Sequence, residues 1–327
     1  MGLFGGERGR QKRVAADLTA KGAGLQPYFA AGRSAETEPR LRAWLDEAES
    51  VLGPRHKVTL QLRTRLAQLC NANGRFAEAE HEAATVLELT DRDVADAAAG
   101  TSWEHYAAAL NHQGRHEEAA REYAALGRAL AEDPAQKVRL LTAQVNRTSA
   151  LLYLDRFEEA EHEAGRALQA AQSVAGPTGL YIRLTAANSL SRVLTAQGRA
   201  AEAETVARQA LVSATGSGQP VDRFQRLLAL NLAGALSAQG RHQEALDAVA
   251  EATGVGGHEF AADTGAVGSA RARALLGLGR REEAVAVAEE ALAEALARFG
   301  GTHARVTVLR ELLAEAGAAP GHTGWRG

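Results

Sequence analysis

A short phrase recurs along the chain and restricts the possible folds more than any other feature. Its clearest copy is GRFAEAEHEAATVLEL, which begins at Gly74. In every clear copy the second residue is Arg, the fifth is Glu and the sixth is Ala. We call the first residue of each copy the anchor. The anchors lie at positions 32, 74, 114, 155, 198, 240 and 279, and the first of these begins a degenerate copy. Periods of this length indicate a solenoid of repeated units.

Each unit after His56 has the pattern of a helical hairpin, with a first helix, a tight turn at the anchor and a second helix of similar length. Glycine at the anchor favours the left-handed conformation that ends a helix. The glutamate lies in the first turn of the second helix, where its charge complements the helix dipole. The sequence therefore predicts a row of antiparallel helix pairs.

Small residues recur where the two helices of each hairpin would cross. The conserved spacing places an alanine five residues after each anchor, and a small residue seven residues before it. Small side chains at a crossing allow two helix axes to approach to about 8–10 Å. The residues five after the anchor are Ala79, Ala119, Ala160, Ala203, Ala245 and Ala284, and those seven before it are Ala67, Ala107, Thr148, Ser191, Ala233 and Ala272.

The same pattern predicts the limits of the folded array. Residues 1–11 are expected to form a disordered tail, and residues 317–327 another. Residues 12–316 are expected to form the solenoid, with about six clear repeats, a degenerate N-terminal repeat and a C-terminal capping helix. Gly22, Gly24 and Pro27 should break the leading helix, since both residue types penalise helix interiors. The glycine-rich stretch from Gly254 is the expected hinge.

Composition narrows the classes of partner and compartment. The formal net charge is -3, so the chain has no global bias toward nucleic acid. No apolar run approaches the length of a membrane span, and no stable membrane insertion is expected. Cys70 is the one cysteine and lies in an apolar helical stretch, so it should be a buried small side chain, and a reducing cytoplasm is the expected location.

Patterns that would indicate catalysis or a metal are weak. Glu78 to His81 and Glu159 to His162 have the E-x-x-H spacing found in helical di-iron sites. They occupy equivalent positions two repeats apart, which is too far for one shared ion. The chain has no G-x-S-x-G nucleophile motif and no phosphate-binding glycine loop in a suitable context. We therefore expect no enzyme activity, no metal and no cofactor.

The helix, glycine turn and helix with small residues at the crossing resemble the tetratricopeptide repeat family. The period of about 42 residues and the stretch LGPRHKVTL from Leu52 to Leu60 resemble its kinesin light chain variety. The chain departs from the pattern at Asp155, which replaces the turn glycine, and at Arg147 and Arg271, which replace apolar residues. The resemblance implies an all-α, right-handed superhelical solenoid of antiparallel helix-turn-helix repeats.

The resemblance also implies a function without catalysis, in which the first helices line a concave groove that binds a peptide or an extended segment of a partner protein. Asparagine suits such a groove because its amide both donates and accepts hydrogen bonds. Arginine there could bind acidic side chains or a terminal carboxylate. The residues expected in the groove are Arg65, Gln68, His105, Asn146, Asn188, Arg192, Asn231 and Arg273.

Alternatives remain open at this point. The polar stripe is also what the solvated face of an amphipathic helix would show. The array could be a structural module that self-associates through its edges or convex face, so homo-oligomers are possible. A small molecule in the groove would require a closed pocket with perturbed ionisable groups. A peptide-responsive regulator is also conceivable, although the residues before Gly32 are too few and too rich in glycine for a DNA-binding module.

Overall fold

The computed structural model describes residues 3–25, 27–28, 33–254 and 263–317, and within these ranges it contains α-helices, short 3-10 segments and turns but no strand. The described residues fall into two compact units. Unit one ends at Gln113 and unit two begins at Gly114. Each unit is described below by itself.

The helices follow one another with short connections. Unit one contains α1 (Leu3–Ala23), α2 (Glu38–Leu52), α3 (Lys57–Ala72), α4 (Phe76–Leu89) and α5 (Ala97–His112). Unit two contains α6 (His116–Ala131), α7 (Lys137–Tyr153), α8 (Phe157–Ala170), α9 (Gly176–Ala196), α10 (Ala200–Thr215), α11 (Asp222–Ala238), α12 (His242–Gly254), α13 (Ala266–Gly277), α14 (Arg281–Phe299) and α15 (Ala304–Gly317). The 3-10 segments are Ser34–Thr37, Pro134–Gln136 and Ala171–Ser173.

Neighbouring helices pack against each other within each unit, and inside each unit every odd-numbered helix also contacts the next odd-numbered helix of that unit. This is the contact pattern of stacked hairpins, in which every repeat buries its apolar face against its neighbours. The odd-numbered helices from α3 onward are the first helices of the repeats, and the even-numbered ones are the second helices. The predicted all-α array of tandem hairpins is thus confirmed for the described residues.

The turn of each hairpin uses a left-handed residue, as the anchor pattern predicts. The glycine anchors from Gly74 onward have φ between 74° and 81°. Asp155, which replaces glycine, adopts the same region with φ 56°. At Gly198, the next amide, that of Arg199, donates to the carbonyl of Leu194 at 2.8 Å. This bond spans the turn and satisfies a carbonyl that the end of a helix would leave unpaired.

The recurrent arginine has a role that the sequence pattern did not reveal. In every copy its guanidinium binds the glutamate three residues later, as in Arg199 to Glu202, where two bonds of 2.7 Å form. The hydrogen bond from Arg199 lowers the pKa of Glu202. Arg199 also reaches back to Glu161 of the preceding repeat, and Arg241 reaches Glu204 in the same way, each at 2.7 Å. The arginine therefore links one repeat to the next besides closing its own turn.

The small residues expected at the helix crossings are all buried. The alanines five residues after the anchors are all at most 1% exposed, and so are the small residues seven before them. In one repeat the hydroxyl of Ser191 donates directly to the carbonyl of Ala203 across the hairpin, at 3.2 Å. Cys70 is fully buried, as expected, and burial raises the pKa of its thiol to about 12.

The two G-x-x-H joints share a local structure. His56 precedes α3, and its Nδ1 accepts a hydrogen bond from the amide of Val58 at 3.2 Å. His303 precedes α15 and accepts from the amide of Arg305 at the same distance. Both histidines therefore cap a helix, a role usually taken by Ser, Thr, Asp or Asn. The motif marks the start of a first helix.

The N-terminal residues differ from expectation. Residues 3–11, which were expected to be disordered, form the first part of α1. The leucine, glutamate, arginine and glutamine residues in this stretch are good helix formers and outweigh the glycines. Gln11 also ties α1 to α2, because its Nε2 donates to the carbonyl of Val51 at 3.2 Å. The hinge stretch beyond Gly254, residue 32 and the C-terminal tail beyond Gly317 lie outside the described residues.

The left-handed turns give a direct stability prediction. A β-carbon at Gly198 would meet no atom within 4 Å, so Gly198→Ala tests the backbone conformation alone. We expect the free energy of unfolding to fall by about 1–2 kcal/mol, measured by urea denaturation. The matched control is Asp155→Gly, which relieves the same strain and should leave stability equal or slightly higher. Equal stability of Gly198→Ala and the parent would contradict the assigned role of the turn.

Candidate functional site

The first helices of unit one line an open cavity of about 400 Å³, which we call cavity one. It lies between α1, α3 and α5, and Arg65 and Gln68 on α3 line it. Among the predicted groove residues, these two are therefore brought together in unit one. His105 on α5 is placed differently. Its carbonyl accepts a hydrogen bond from the Nδ2 of Asn71 at 2.9 Å, and burial lowers the pKa of its imidazole to about 4.

Unit two contains a larger cavity of about 630 Å³, which we call cavity two. Arg192 on α9, Asn231 on α11 and Arg273 on α13 all line it. Three of the predicted groove residues, one from each of three successive first helices, thus meet at one site. The expected Asn146 and Asn188 are half-buried and are not among the residues lining this cavity.

The last helix, α15, forms part of the wall of cavity two, through residues that include Thr307, Val308 and Glu311. The sequence analysis expected α15 to be only a cap. Thr302, two residues before the start of α15, has its carbonyl oxygen 3.7 Å from where a β-carbon on Gly114 would lie. Within unit two, the start of α15 therefore approaches the turn that begins α6. The cavity is bounded by both ends of the helix row.

An aromatic side chain that sequence analysis missed lies at the edge of cavity two. The ring of Tyr153 stacks on His116, with centroids 4.5 Å apart and planes 19° apart. The guanidinium of Arg192 is 5.8 Å from the centroid of the same ring. Tyr153 remains 42% exposed, which leaves part of its surface for a ligand. A signal existed in the sequence, because the other repeats have no tyrosine two residues before the anchor.

Charges of both signs surround cavity two. Burial lowers the pKa of Arg273, while the nearby carboxylates Glu315 and Glu311 act to raise it. Beside the cavity, Arg223 binds Asp263 through two bonds of 2.9 Å. Arg305 donates to the carbonyl of Thr264 at 2.9 Å. These bonds tie α11 and α15 to the segment before α13, so the wall of the cavity is held on several sides.

The sequence analysis expected the side-chain amides of the asparagines to face the groove, but Asn231 is bonded to Asn188. The Nδ2 of Asn231 donates to both the carbonyl and the Oδ1 of Asn188, at 3.0 and 2.8 Å. The Nδ2 of Asn231 is therefore engaged between α9 and α11, and its Oδ1 is the acceptor that Asn231 can offer to the cavity. In unit one the hydroxyl of Thr64 similarly pairs with that of Ser102 at 2.8 Å. Polar residues of the first helices thus connect neighbouring repeats as well as facing a groove.

The described residues provide no cluster of side chains for binding a metal ion. Across the described residues, no three side chains of His, Cys, Asp and Glu are grouped as metal ligands. Glu78, of the first E-x-x-H phrase, is paired with Arg42 and Arg75 instead. Within the same ranges, no helix is both long enough and apolar enough to cross a bilayer.

The position of His303 at the start of α15 leads to a prediction about how the free energy of unfolding depends on pH. Burial, together with the nearby charge of Arg305, lowers the pKa of His303 to about 4, below the value of about 6.5 in an unfolded chain. Between these values the unfolded state binds more protons, so this part of the stability is present above pH 6.5 and is lost as the pH falls toward 4. His303→Asn keeps a capping acceptor but does not titrate.

We expect the parent to lose more free energy of unfolding than His303→Asn between pH 7 and 4, by on the order of 1–3 kcal/mol. Chemical denaturation at several pH values gives the difference between the two proteins, so that the titration of other groups cancels. Parallel pH profiles for the two proteins would show that His303 titrates normally.

Comparison with known proteins supports the same architecture. Residues 183–214, in α9 and α10, match the family model described as tetratricopeptide repeat. No curated protein sequence matches the chain.

Two solved structures are similar in fold. A tetratricopeptide repeat protein from Parabacteroides merdae ATCC 43184 aligns with 93% of this chain and 99% of its own, at 15% identity and a TM-score of 0.56. A chain of the APC/C hetero-tetramer Cut9-Hcn1 aligns with 90% of this chain, at 15% identity and a TM-score of 0.58. This chain spans only 48% of that one. At these identities the likeness concerns the fold, and the kinesin light chain variety stays a prediction. The chain therefore has the fold of tetratricopeptide repeat proteins, and residues 183–214 also match the model of that family in sequence.

Proposed function

We propose that the protein is a non-enzymatic binding scaffold that takes up an extended segment of a partner protein along its first helices. The observation that carries this proposal is cavity two, where Arg192, Asn231 and Arg273 from successive first helices line one concave site. A site built from several repeats suits a ligand that extends from one repeat to the next. The absence of a catalytic motif in the sequence is consistent with binding alone.

The side chains of cavity two indicate what kind of segment would fit. Arg192 and Arg273 can donate charge-assisted hydrogen bonds to an acidic side chain. The carbonyl oxygen of Asn231 can accept from a backbone amide of the segment. The exposed part of Tyr153, with Leu230 and Val308 nearby on the wall, offers an apolar surface. The best fit is a segment that combines an acidic residue with an apolar or aromatic one.

Hydrogen bonds and an ion pair hold the helices around cavity two in place without a ligand. The Asn231 to Asn188 bonds join α9 to α11, and the Arg241 to Glu204 pair joins their repeats on the other side. A preorganised site loses less conformational entropy on binding, so more of the interaction energy appears as affinity. The fold neighbour from the Cut9-Hcn1 hetero-tetramer is part of a protein assembly, and we propose an assembly role of that general kind here.

The proposal extends to partner class and compartment. The partner is a protein or peptide and not nucleic acid, since the formal net charge of -3 gives no general attraction to a polyanion. We place the scaffold in the cytoplasm because its single cysteine is buried and can form no internal disulfide.

The test is affinity capture from a lysate of the native cells with the parent and the double variant Arg192→Gln/Arg273→Gln. Removing two charged donors should weaken binding of a groove ligand by about tenfold or more. We expect a protein that the parent captures to be lost or strongly depleted with the double variant, as read by quantitative mass spectrometry and then by titration with that protein.

The matched control is Arg128→Gln/Arg166→Gln, which removes two exposed arginines from the second helices α6 and α8. It carries the same change of charge and should capture the partner as the parent does. Equal capture by the parent and by both double variants would contradict groove binding. The contact would then lie on the convex face or the edges, as in the alternative of a self-assembling module.

A further inference from the structure

Positively charged side chains are concentrated on the exposed side of α1, close to its start. They are those of Arg8, Arg10, Lys12 and Arg13, and we call this set the basic face of α1. No acidic residue occurs from Arg8 to Ala16, and none of the four cations forms an ion pair with another described residue. The arginines of the repeat turns, by contrast, pair with glutamates. The positive charge of the basic face is therefore not neutralised by the described part of this chain.

The opposite side of α1 fixes the orientation of this helix on the protein. Val14 and Ala15 pack against the core cluster that contains Leu41 of α2. The Nε2 of Gln11 donates to the carbonyl of Val51 at 3.2 Å. These contacts hold one side of α1 against its neighbour, so the basic face is turned to solvent. The four cations are thus presented on a helix that the protein holds in place.

The cations of the basic face form two rows with a small residue between them. Arg8 and Lys12, four residues apart, make one row, and Arg10 and Arg13, three residues apart, make the other. At 3.6 residues per turn, Gly9 falls between the rows, and a β-carbon there would meet no atom within 4 Å. Because Gly9 has no side chain to protrude between the rows, both rows can reach a broad anionic surface at the same time.

The sequence next to the basic face indicates which anionic surface fits it. The first turn of α1 begins with Leu3 and Phe4, both apolar residues, and Glu7 is the one acidic residue before the cations. Apolar and basic residues together on one helix are typical of segments that lie on an anionic membrane. Proteins that bind single-stranded nucleic acid use aromatic residues for stacking on bases, and residues 7–21 contain none. A lipid surface is therefore favoured over a nucleic acid.

We propose that the basic face of α1 binds a lipid surface that bears anionic headgroups. Each lysine or arginine near such a surface is attracted to the negative headgroups, and the four together give reversible binding. The helix would lie on the surface and would not span the bilayer. Neither cavity is used, so the array could be held at a membrane with its first helices still available. The proposal concerns α1 and does not depend on the function proposed for cavity two.

The test is co-sedimentation of the full-length protein with vesicles of phosphatidylcholine alone and of phosphatidylcholine mixed with phosphatidylglycerol, in about 0.1 M salt. We expect binding to the anionic vesicles and not to the neutral ones. The variant Arg8→Gln/Arg10→Gln/Lys12→Gln/Arg13→Gln should lower the partition onto anionic vesicles by about a hundredfold or more, because each lost cation weakens it about fivefold. Salt at about 1 M should also release the parent, since it shortens the Debye length to about 3 Å.

The matched control is Arg40→Gln/Arg121→Gln/Arg128→Gln/Arg166→Gln, which removes the same charge from exposed arginines of other helices and should bind as the parent does. The charge-retaining variant Arg8→Lys/Arg10→Lys/Arg13→Lys should also bind as the parent does, and it keeps the proposal testable if the glutamine variant does not fold. Loss of binding in this lysine variant, equal binding to neutral and anionic vesicles, or equal binding by the parent and the glutamine variant would overturn the proposal.

Other polyanions serve as competitors, because a nucleic acid or an acidic protein also carries dense negative charge. Duplex DNA and polyglutamate are added to the vesicle-bound protein at a charge concentration equal to that of the anionic lipid. Retention on the vesicles supports a lipid surface, and displacement by either competitor overturns it in favour of that class of partner. Arg192→Gln/Arg273→Gln should bind the vesicles as the parent does. Loss of vesicle binding in that variant would overturn the assignment to α1.

Discussion

The whole array depends on one backbone conformation, the left-handed residue that ends the first helix of each repeat. It lets the chain reverse within a few residues and still satisfy its carbonyls, as in the bond from Arg199 to Leu194. Only a residue that tolerates positive φ can hold this place, which explains glycine at most anchors. Asp155 shows that aspartate can replace it, in keeping with the known tolerance of Asp for this region.

Two kinds of contact hold the hairpins together as a stack. Within a hairpin, fully buried alanines such as Ala203 let the helices approach closely. Between hairpins, polar side chains connect the repeats, as Arg199 does with Glu161 and Asn231 with Asn188. Exposed ion pairs of this kind contribute little stability individually. Their regular placement, however, sets the register of one repeat on the next, and this register determines which side chains face a common cavity.

The two cavities illustrate different consequences of that register. In cavity two, arginines are accompanied by nearby carboxylates, and an aromatic ring is partly exposed, so the surface is mixed and suits a segment of varied chemistry. In cavity one, a single guanidinium stands among neutral groups beneath α1. The same helical repeat therefore produces two sites with distinct electrostatics, because specificity lies in the few side chains that face inward and the framework is shared.

The sequence by itself determined the hairpins, their turns and their crossings, because these depend on interactions between residues close in the chain. Gly74, Ala79 and Ala67 suffice to predict the first of them. The same local reasoning identified Arg65, Arg192, Asn231 and Arg273 as candidates for an inward face, since residues three or four apart share one side of a helix.

Only the tertiary structure decided which of these candidates share a site and which hydrogen bonds they have already formed. Asn231 is paired with a residue 43 positions earlier, and α15 supplies part of the wall of cavity two, far in sequence from α9. The helical conformation of residues 3–11 and the approach of α1 to Arg65 likewise depend on contacts between distant segments. Such contacts depend on how each helix packs against the next, and the periodic pattern of the sequence does not specify the details of that packing.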